Sequence, residues 1–197
     1  DLVKAVEYAV DSDPLSAFGG IVGLNRDCDL KTADYILEKL GFFEVLVAPS
    51  FKAGALKILK ARKNLRLIQV GDLHDEYPYE FKFLRSGILV QEKDRPIKGH
   101  MAEFKKNLRF VTKAKLSEQE SDELIFAFQC AKVVKSNAIV LTQGKRTVGV
   151  GAGQMSRVDS MQIAIQKAGY LAEGAFGGSD AFFPMPDAIE LAAKHKI

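Results

Sequence analysis

The sequence has little cysteine and histidine and no long apolar run. Its two cysteines, Cys28 and Cys130, stand far apart without CxxC spacing, which argues against a disulfide framework or a cysteine-based zinc site and fits a reducing cytoplasm. The histidines, His74, His100 and His195, have no metal-ligand spacing with another His or Cys. We therefore predict no metal site and interpret each histidine as an exposed polar residue. Without 18 consecutive apolar residues, no membrane-spanning helix is predicted.

Common catalytic and phosphate-binding motifs are missing as well. No GxSxG or Cys-His signature of covalent catalysis occurs. The stretch VGVGAGQMSR has glycines at 149, 151 and 153, but it lacks the GxGxxG spacing of dinucleotide sites and the Lys-Ser/Thr pair of a P-loop. Alternating glycines at a strand end allow close approach by another backbone or by a ligand. The spacing alone leaves both interpretations open.

The composition is that of a soluble globular protein, with 197 residues, 47% hydrophobic and 27% charged. This length allows one large domain or two small ones. The net charge of +3 is too small to indicate nucleic acid, although residues 52–66 and 93–115 are locally basic. Such runs are either solvated faces or a field that attracts an anionic small molecule. With no nucleic-acid motif, we predict no nucleic-acid partner.

Alternating helical and strand patterns predict α/β layers with a mainly parallel sheet. Asp29 is a plausible N-cap for a helix over 31–40. Short buried strands are expected at 44–49 and 65–70, separated by a helix at 51–62. One or two strands follow at 81–92, and the polar, basic stretch 92–116 is the candidate connector.

The second half of the sequence opens with a capping box, Ser117-Glu-Gln-Glu120, before a long helix. Strands are expected on both sides of the turn Gly144-Lys145, followed by a helix from about Arg157 to Ala172. Residues 174–180 are expected to form a loop, 181–183 a strand, and the chain from Pro186 a final helix.

Three short segments carry candidate binding groups. Asn137 offers a donor and an acceptor to an amide-bearing ligand, unless it is an ordinary turn or cap. Gln154 and Arg157, at the glycine-lined strand end, suit a planar polar or anionic ligand. Phe182 and Phe183 are expected, by default, to pack in the core.

The motifs DPLSAFGGIVGLNR, KSNAIVL, VGVGAGQMSR and SDAFFP occur in this order. Together they resemble the formyltransferase region of the AICAR transformylase/IMP cyclohydrolase family. The resemblance implies two cytidine-deaminase-like α/β/α subdomains with mainly parallel mixed sheets and no zinc. Residues 1–103 would belong to the first, incomplete subdomain and 104–197 to the second. It also implies a cytoplasmic homodimer with active sites at the subunit interface.

The resemblance further implies a reaction. A formyl group passes from the co-substrate 10-formyltetrahydrofolate to the 5-amino group of AICAR, without a metal, in de novo IMP biosynthesis. A second activity, IMP cyclohydrolase, would belong to the parent protein.

Eight residues match family positions that contact the two substrates. The implied AICAR contacts are Gly19, Glu44, Asn137, Arg157 and Phe182. The implied folate-side residues are Phe18, Val158 and Asp187. Met185-Pro186 departs from the Phe-Arg pair usual in the family, which puts the folate contacts there in question.

The family's catalytic Lys-His pair matches no position of this sequence, because its motif would precede Asp1. We therefore expect no catalytic residue in this chain and little or no transformylase activity from it alone, since moving the proton of the AICAR amine needs a positioned base. Two alternatives are a non-catalytic nucleotide- or folate-binding paralogue and a basic scaffold that holds RNA.

Overall fold

The computed structural model describes residues 1–72, 78–94 and 101–197, without the side chains of 101 and 102. His74 and His100 lie outside the described residues. The helices are α1 (Leu2–Ser12), α2 (Pro14–Ala17), α3 (Leu30–Lys39), α4 (Ala53–Leu59), α5 (Met101–Lys106), α6 (Glu118–Lys132), α7 (Arg157–Ala168) and α8 (Asp187–Lys194), with a 3-10 helix at Gly169–Ala172. The strands are β1 (Ile21–Gly23), β2 (Val45–Ala48), β3 (Arg66–Gln69), β4 (Tyr79–Leu84), β5 (Gly87–Glu92), β6 (Ile139–Thr142), β7 (Thr147–Gly151) and β8 (Phe176–Ser179).

The first sheet has the order β1-β2-β3, and both of its strand pairs are parallel. Its core is built from large side chains, among them the fully buried Ile36, Leu46 and Leu59. Cys28 lies in the same core, where burial and then the charge of Asp29 raise the pKa of its thiol to about 11. The helix–strand alternation of the first half therefore gives the parallel sheet that the sequence predicts.

The capping signals of the sequence are confirmed in both halves. Asp29 caps α3, accepting a hydrogen bond from the backbone N–H of Thr32 at 2.8 Å. Ser117 and Glu120 form the capping box of α6, each side chain accepting from the other's backbone N–H. Each cap satisfies a backbone donor that has no partner inside its helix, which fixes where the helix begins.

Strands β4 and β5 form an antiparallel hairpin, which confirms the strand prediction for this segment. Phe83 lies opposite Ile88, and Val90 lies on the same face two residues further along the strand. All three side chains are more than half exposed. One face of the hairpin is therefore apolar and open to solvent within the described structure.

The second sheet has the order β7-β6-β8, and both of its pairs are antiparallel. The prediction of mainly parallel sheets is therefore wrong for this half. Residues 143–146 join β6 to β7, and a connection this short can link only antiparallel neighbours. Helix α7 connects β7 to β8. Strand β6 lies between β7 and β8 in the sheet, and each of these two strands pairs with β6 in the antiparallel direction.

Two predictions near the end of the chain are wrong. The expected loop at 174–180 contains β8, and the expected strand at 181–183 has no regular secondary structure. Glycine makes the difference: a Cβ on Gly178 would lie 2.4 Å from the carbonyl of Ala127. Because Gly178 has no side chain, β8 can pack directly against the backbone of α6, an arrangement that a glycine-rich sequence does not reveal.

The candidate connector is only partly irregular, because it contains α5. The predicted subdomain boundary at 103/104 falls within this helix and stays a prediction. Helix α1 and the residue after it link the halves: the centre of the Tyr8 ring on α1 lies 5.0 Å from the guanidinium carbon of Arg146, and Asp13, which follows α1, pairs with Lys167 on α7. The final helix is present but begins one residue later than predicted, at Asp187, with Pro186 as its N-cap residue.

Candidate functional site

A cleft of about 290 Å³ opens beside the N-terminus of α7. It is lined by residues 137, 155–158, 182–185 and 187. These come from the segment before β6, the start of α7 and the segment leading into α8. Of the eight residues that the resemblance assigns to substrate binding, five line this cleft: Asn137, Arg157, Val158, Phe182 and Asp187.

Arg157 is held by two hydrogen bonds. Its Nε donates to the carbonyl oxygen of Phe182 at 2.7 Å, and its Nη1 donates to Oδ1 of Asp180 at 2.8 Å. The Arg157 side chain is only 11% exposed. Because a guanidinium has five N–H donors, three lie outside these two hydrogen bonds, on a side chain that lines the cleft.

Asn137 is fixed by its amide nitrogen. Nδ2 donates to the carbonyl oxygens of Gln154 at 2.8 Å and Met155 at 3.1 Å. An amide nitrogen has two hydrogens, so both are used. The backbone carbonyl oxygen of Asn137 accepts a hydrogen bond from the Ser160 hydroxyl. The sequence suggested that the side chain could donate and accept; the structure leaves only its Oδ1 acceptor for a ligand.

Asp180 connects the segments of the cleft, and sequence reasoning missed it. Besides Arg157, its Oδ1 accepts from the backbone N–H of Ala138 at 2.9 Å. Burial opposes ionisation, but hydrogen bonds from Ser136, Ala138 and Arg157 outweigh it and hold the pKa of Asp180 below its ordinary value. The available signal was a lone carboxylate inside the motif SDAFFP, two residues before Phe182.

The alternating glycines serve packing rather than ligand approach. A Cβ on Gly149 would lie 2.1 Å from the carbonyl oxygen of Ala164, and one on Gly151 would lie 1.8 Å from that of Ser160. Real side chains essentially never come this close, so β7 and α7 meet backbone to backbone. Gly153, with a φ of +68°, lies in the turn that follows. This contact fixes α7, and with it Arg157, relative to the sheet.

The paired phenylalanines have different environments. Phe183 packs against the second core, together with Val158, as expected. Phe182 is 78% exposed, so core packing is wrong for it. The exposed ring of Phe182 therefore offers an apolar face to the cleft. Asp187, a further residue of the lining, begins α8 and accepts a hydrogen bond from the N–H of Ala188 at 2.7 Å.

The other three assigned residues, Phe18, Gly19 and Glu44, lie in the first half and do not line the cleft. The ring of Phe18 is 5.7 Å from that of Phe42, whose carbonyl accepts from the N–H of Gly19 at 2.9 Å. The Glu44 carboxylate pairs with Arg66 at 3.6 Å on the surface. The structure thus places the assigned residues in two separate groups.

The residues that line the cleft include no lysine, histidine or cysteine. Across the described ranges there is no group of three His, Cys, Asp or Glu side chains that could hold a metal ion. His195 is exposed at the end of α8, as expected. Within the same ranges, every helix is too short or too polar to cross a membrane.

The fold and the cleft define an α/β protein in which a cleft lined by both polar and apolar side chains lies beside the N-terminus of α7. The family described as AICARFT/IMPCHase bienzyme matches residues 1–167. The chain belongs to this family.

Relatives support the same assignment. The bifunctional purine biosynthesis protein PurH of Sorangium cellulosum is 46% identical over 198 residues, covering 100% of this chain and 37% of that protein. Proteins of the same name from Thermoanaerobacter sp. and Rhodopirellula baltica are 44% and 42% identical, over 100% and 98% of this chain. The chain thus spans 37% of the length of these relatives.

Proposed function

We propose that this chain forms the substrate-binding part of a formyltransferase in purine (IMP) biosynthesis. The reaction transfers a formyl group from 10-formyltetrahydrofolate to the 5-amino group of AICAR, and the parent protein also has IMP cyclohydrolase activity. Family membership supports the pathway. The observation that carries the binding role is the cleft, which gathers three assigned AICAR residues and two assigned folate residues from distant parts of the sequence.

The groups in the cleft suit the proposed substrates. The free Oδ1 of Asn137 can accept from an amide N–H, and the remaining donors of Arg157 can reach a carbonyl oxygen. The ring of Phe182 can cover a planar heterocycle. Val158 and Asp187, which also line the cleft, are the proposed folate side.

A homodimer is part of the proposal. Phe18, Gly19 and Glu44 do not line the cleft, and a partner subunit could supply such a group across an interface. Sedimentation velocity of the chain, with and without AICAR, tests the proposed dimer. A monomer at all concentrations under both conditions would contradict dimerisation of this chain.

Calorimetric titration tests the binding role. We expect the chain to bind AICAR and a stable folate analogue, and Asn137→Ala to weaken AICAR binding roughly tenfold, as expected for one hydrogen bond in a cleft. Gln162→Ala, on the exposed side of α7, is the matched control and should leave binding unchanged. Binding of neither AICAR nor the folate analogue would refute the proposal.

One alternative has an observation in its favour. The cleft lining offers binding groups but no lysine or histidine to move a proton, which also fits a non-catalytic nucleotide- or folate-binding paralogue. Such a module would bind one of the two ligands. Binding of both ligands together favours the formyltransferase, whereas binding of only one favours the paralogue.

A further inference from the structure

Asp180 lies behind the candidate site rather than in its lining. Its carboxylate holds the Nη1 of Arg157 at 2.8 Å and the N–H of Ala138 at 2.9 Å. The side chains of Arg157 and Asp180 are 11% and 19% exposed. A close pair so shielded from water interacts more strongly than a surface pair, so Asp180 compensates the positive charge of Arg157.

The charge of the cleft follows from this pairing. Arg157 and Asp187 are the charged residues of the lining. With Arg157 compensated by Asp180, the cleft has hydrogen-bond donors on the guanidinium but no surplus positive charge. An anionic group in the cleft would gain little electrostatic attraction from Arg157. It would be repelled by the carboxylates of Asp180 and Asp187.

Asn137 adds a second element of selection. Its Nδ2 is fully used by two carbonyl oxygens, and its Oδ1 accepts no hydrogen bond within the described structure. The cleft therefore offers a fixed acceptor at Asn137 and fixed donors at Arg157. A primary carboxamide has the complementary acceptor and donor, whereas a carboxylate has acceptors alone and would leave Oδ1 facing an oxygen.

We propose that Asp180 is a specificity-determining residue: by pairing with Arg157, it makes the cleft select a neutral carboxamide over a carboxylate on the same imidazole ring. This inference rests on the proposed function, because it names the substrate feature that the same cleft distinguishes. Asp180 touches no substrate itself and acts through Arg157. Specificity thus arises from repulsion of the wrong group as well as attraction of the right one.

The test compares two ligands: AICAR and the ribonucleotide in which a carboxylate replaces its carboxamide. Titration calorimetry measures both affinities for the wild-type chain and for Asp180→Asn, which removes the charge but keeps an acceptor oxygen for Arg157. We expect wild type to prefer AICAR by at least about tenfold and Asp180→Asn to shift that ratio roughly tenfold toward the carboxylate, the effect of one uncompensated charge. Asp159→Asn, an exposed position on the same helix, removes one negative charge without touching Arg157 and should leave the ratio unchanged.

The outcomes separate this inference from the proposed function. If Asp180→Asn weakens both ligands equally, Asp180 is only structural and the inference is wrong. An equal shift in Asp159→Asn would also overturn it, because net charge would then explain the ratio. If Asp180→Asn does not fold, the wild-type ratio decides: carboxylate binding as tight as that of AICAR refutes the inference while the proposed function stands. Failure of both ligands to bind wild type would overturn the proposed function and the inference with it.

Discussion

Helices pack against the first sheet, β1-β2-β3, and the second sheet, β7-β6-β8, in different ways. In the first half, large side chains such as Ile36 and Leu46 fill the space between α3 and the parallel sheet. In the second half, Gly149 and Gly151 let the backbone of α7 lie directly on β7. Side-chain packing can relax when a residue changes, whereas a backbone contact cannot. The cleft lies in the half with the less adaptable contact.

Gly151→Ala is expected to have the largest effect. The added Cβ would lie 1.8 Å from the carbonyl oxygen of Ser160, so α7 must move, and we expect a loss of roughly 3 kcal/mol or more in the free energy of unfolding. Urea denaturation measures it. Gly23→Ala in β1 is the matched control, because a Cβ there has nothing within 4 Å; equal losses in both variants would remove the proposed difference between the sheets.

A core truncation in the first half should be nearly as costly. Leu46 is fully buried in β2, and Leu46→Ala should destabilise the chain by about 3 kcal/mol through lost burial and a cavity. Thermal unfolding monitored by circular dichroism gives the value. The neighbouring strand offers a control in Ile21, which is 71% exposed; a comparable loss for Ile21→Ala would show that the packing of this core is misassigned.

Asp180→Ala should cost about 2 kcal/mol at neutral pH, because it leaves a shielded Arg157 without its partner. The folded-state pKa of Asp180 is lowered from its ordinary 3.8. Its stabilisation is therefore complete above pH 3.8 and lost as the pH falls through the lower folded value. We expect the stability gap between wild type and Asp180→Ala to be constant from pH 7 to about 5 and to narrow below about pH 4. A gap that narrows on raising the pH would contradict this account.

The smallest effects are expected at the two helix caps. Ser117→Ala in the second half and Asp29→Ala in the first should each lower the unfolding free energy by about 1 kcal/mol. Equal values would show that the two halves differ in packing and not in local helix signals. Ser117→Thr retains a capping hydroxyl and should recover most of the loss, which denaturant titration can resolve.

The sequence predicts local features well because their causes are local. The caps at Asp29 and Ser117 and the turn at Gly144-Lys145 depend on neighbouring residues, and all three are confirmed. The short turn at Gly144-Lys145 makes β6 and β7 antiparallel, but the pairing of β8 with β6 depends on which strand lies in the middle, and no local pattern contains that information. For the same reason, the sequence predicts a loop where β8 (Phe176–Ser179) forms: its Gly178 fits against α6, far away in the sequence.

The candidate site shows the same limit. Asn137, Arg157 and Phe182 were identified from motifs, and the structure brings them to one cleft. Asp180 was not identified, because its role is to hold Arg157 and Ala138 from behind. Nor could spacing decide between packing and ligand approach for Gly149 and Gly151, since the choice depends on where α7 lies.

The contact between β7 and α7 also has an evolutionary consequence. Gly149 faces Ala164, and Gly151 faces Ser160, so a larger residue at either glycine displaces the helix that begins with Arg157. No single compensating substitution in α7 can restore the fit, because the obstructing atoms are backbone. Divergence at these two positions is therefore constrained by the packing of α7 on β7, and new ligand preferences in such a scaffold would have to arise at other residues of the cleft lining, such as Met185, which is 62% exposed.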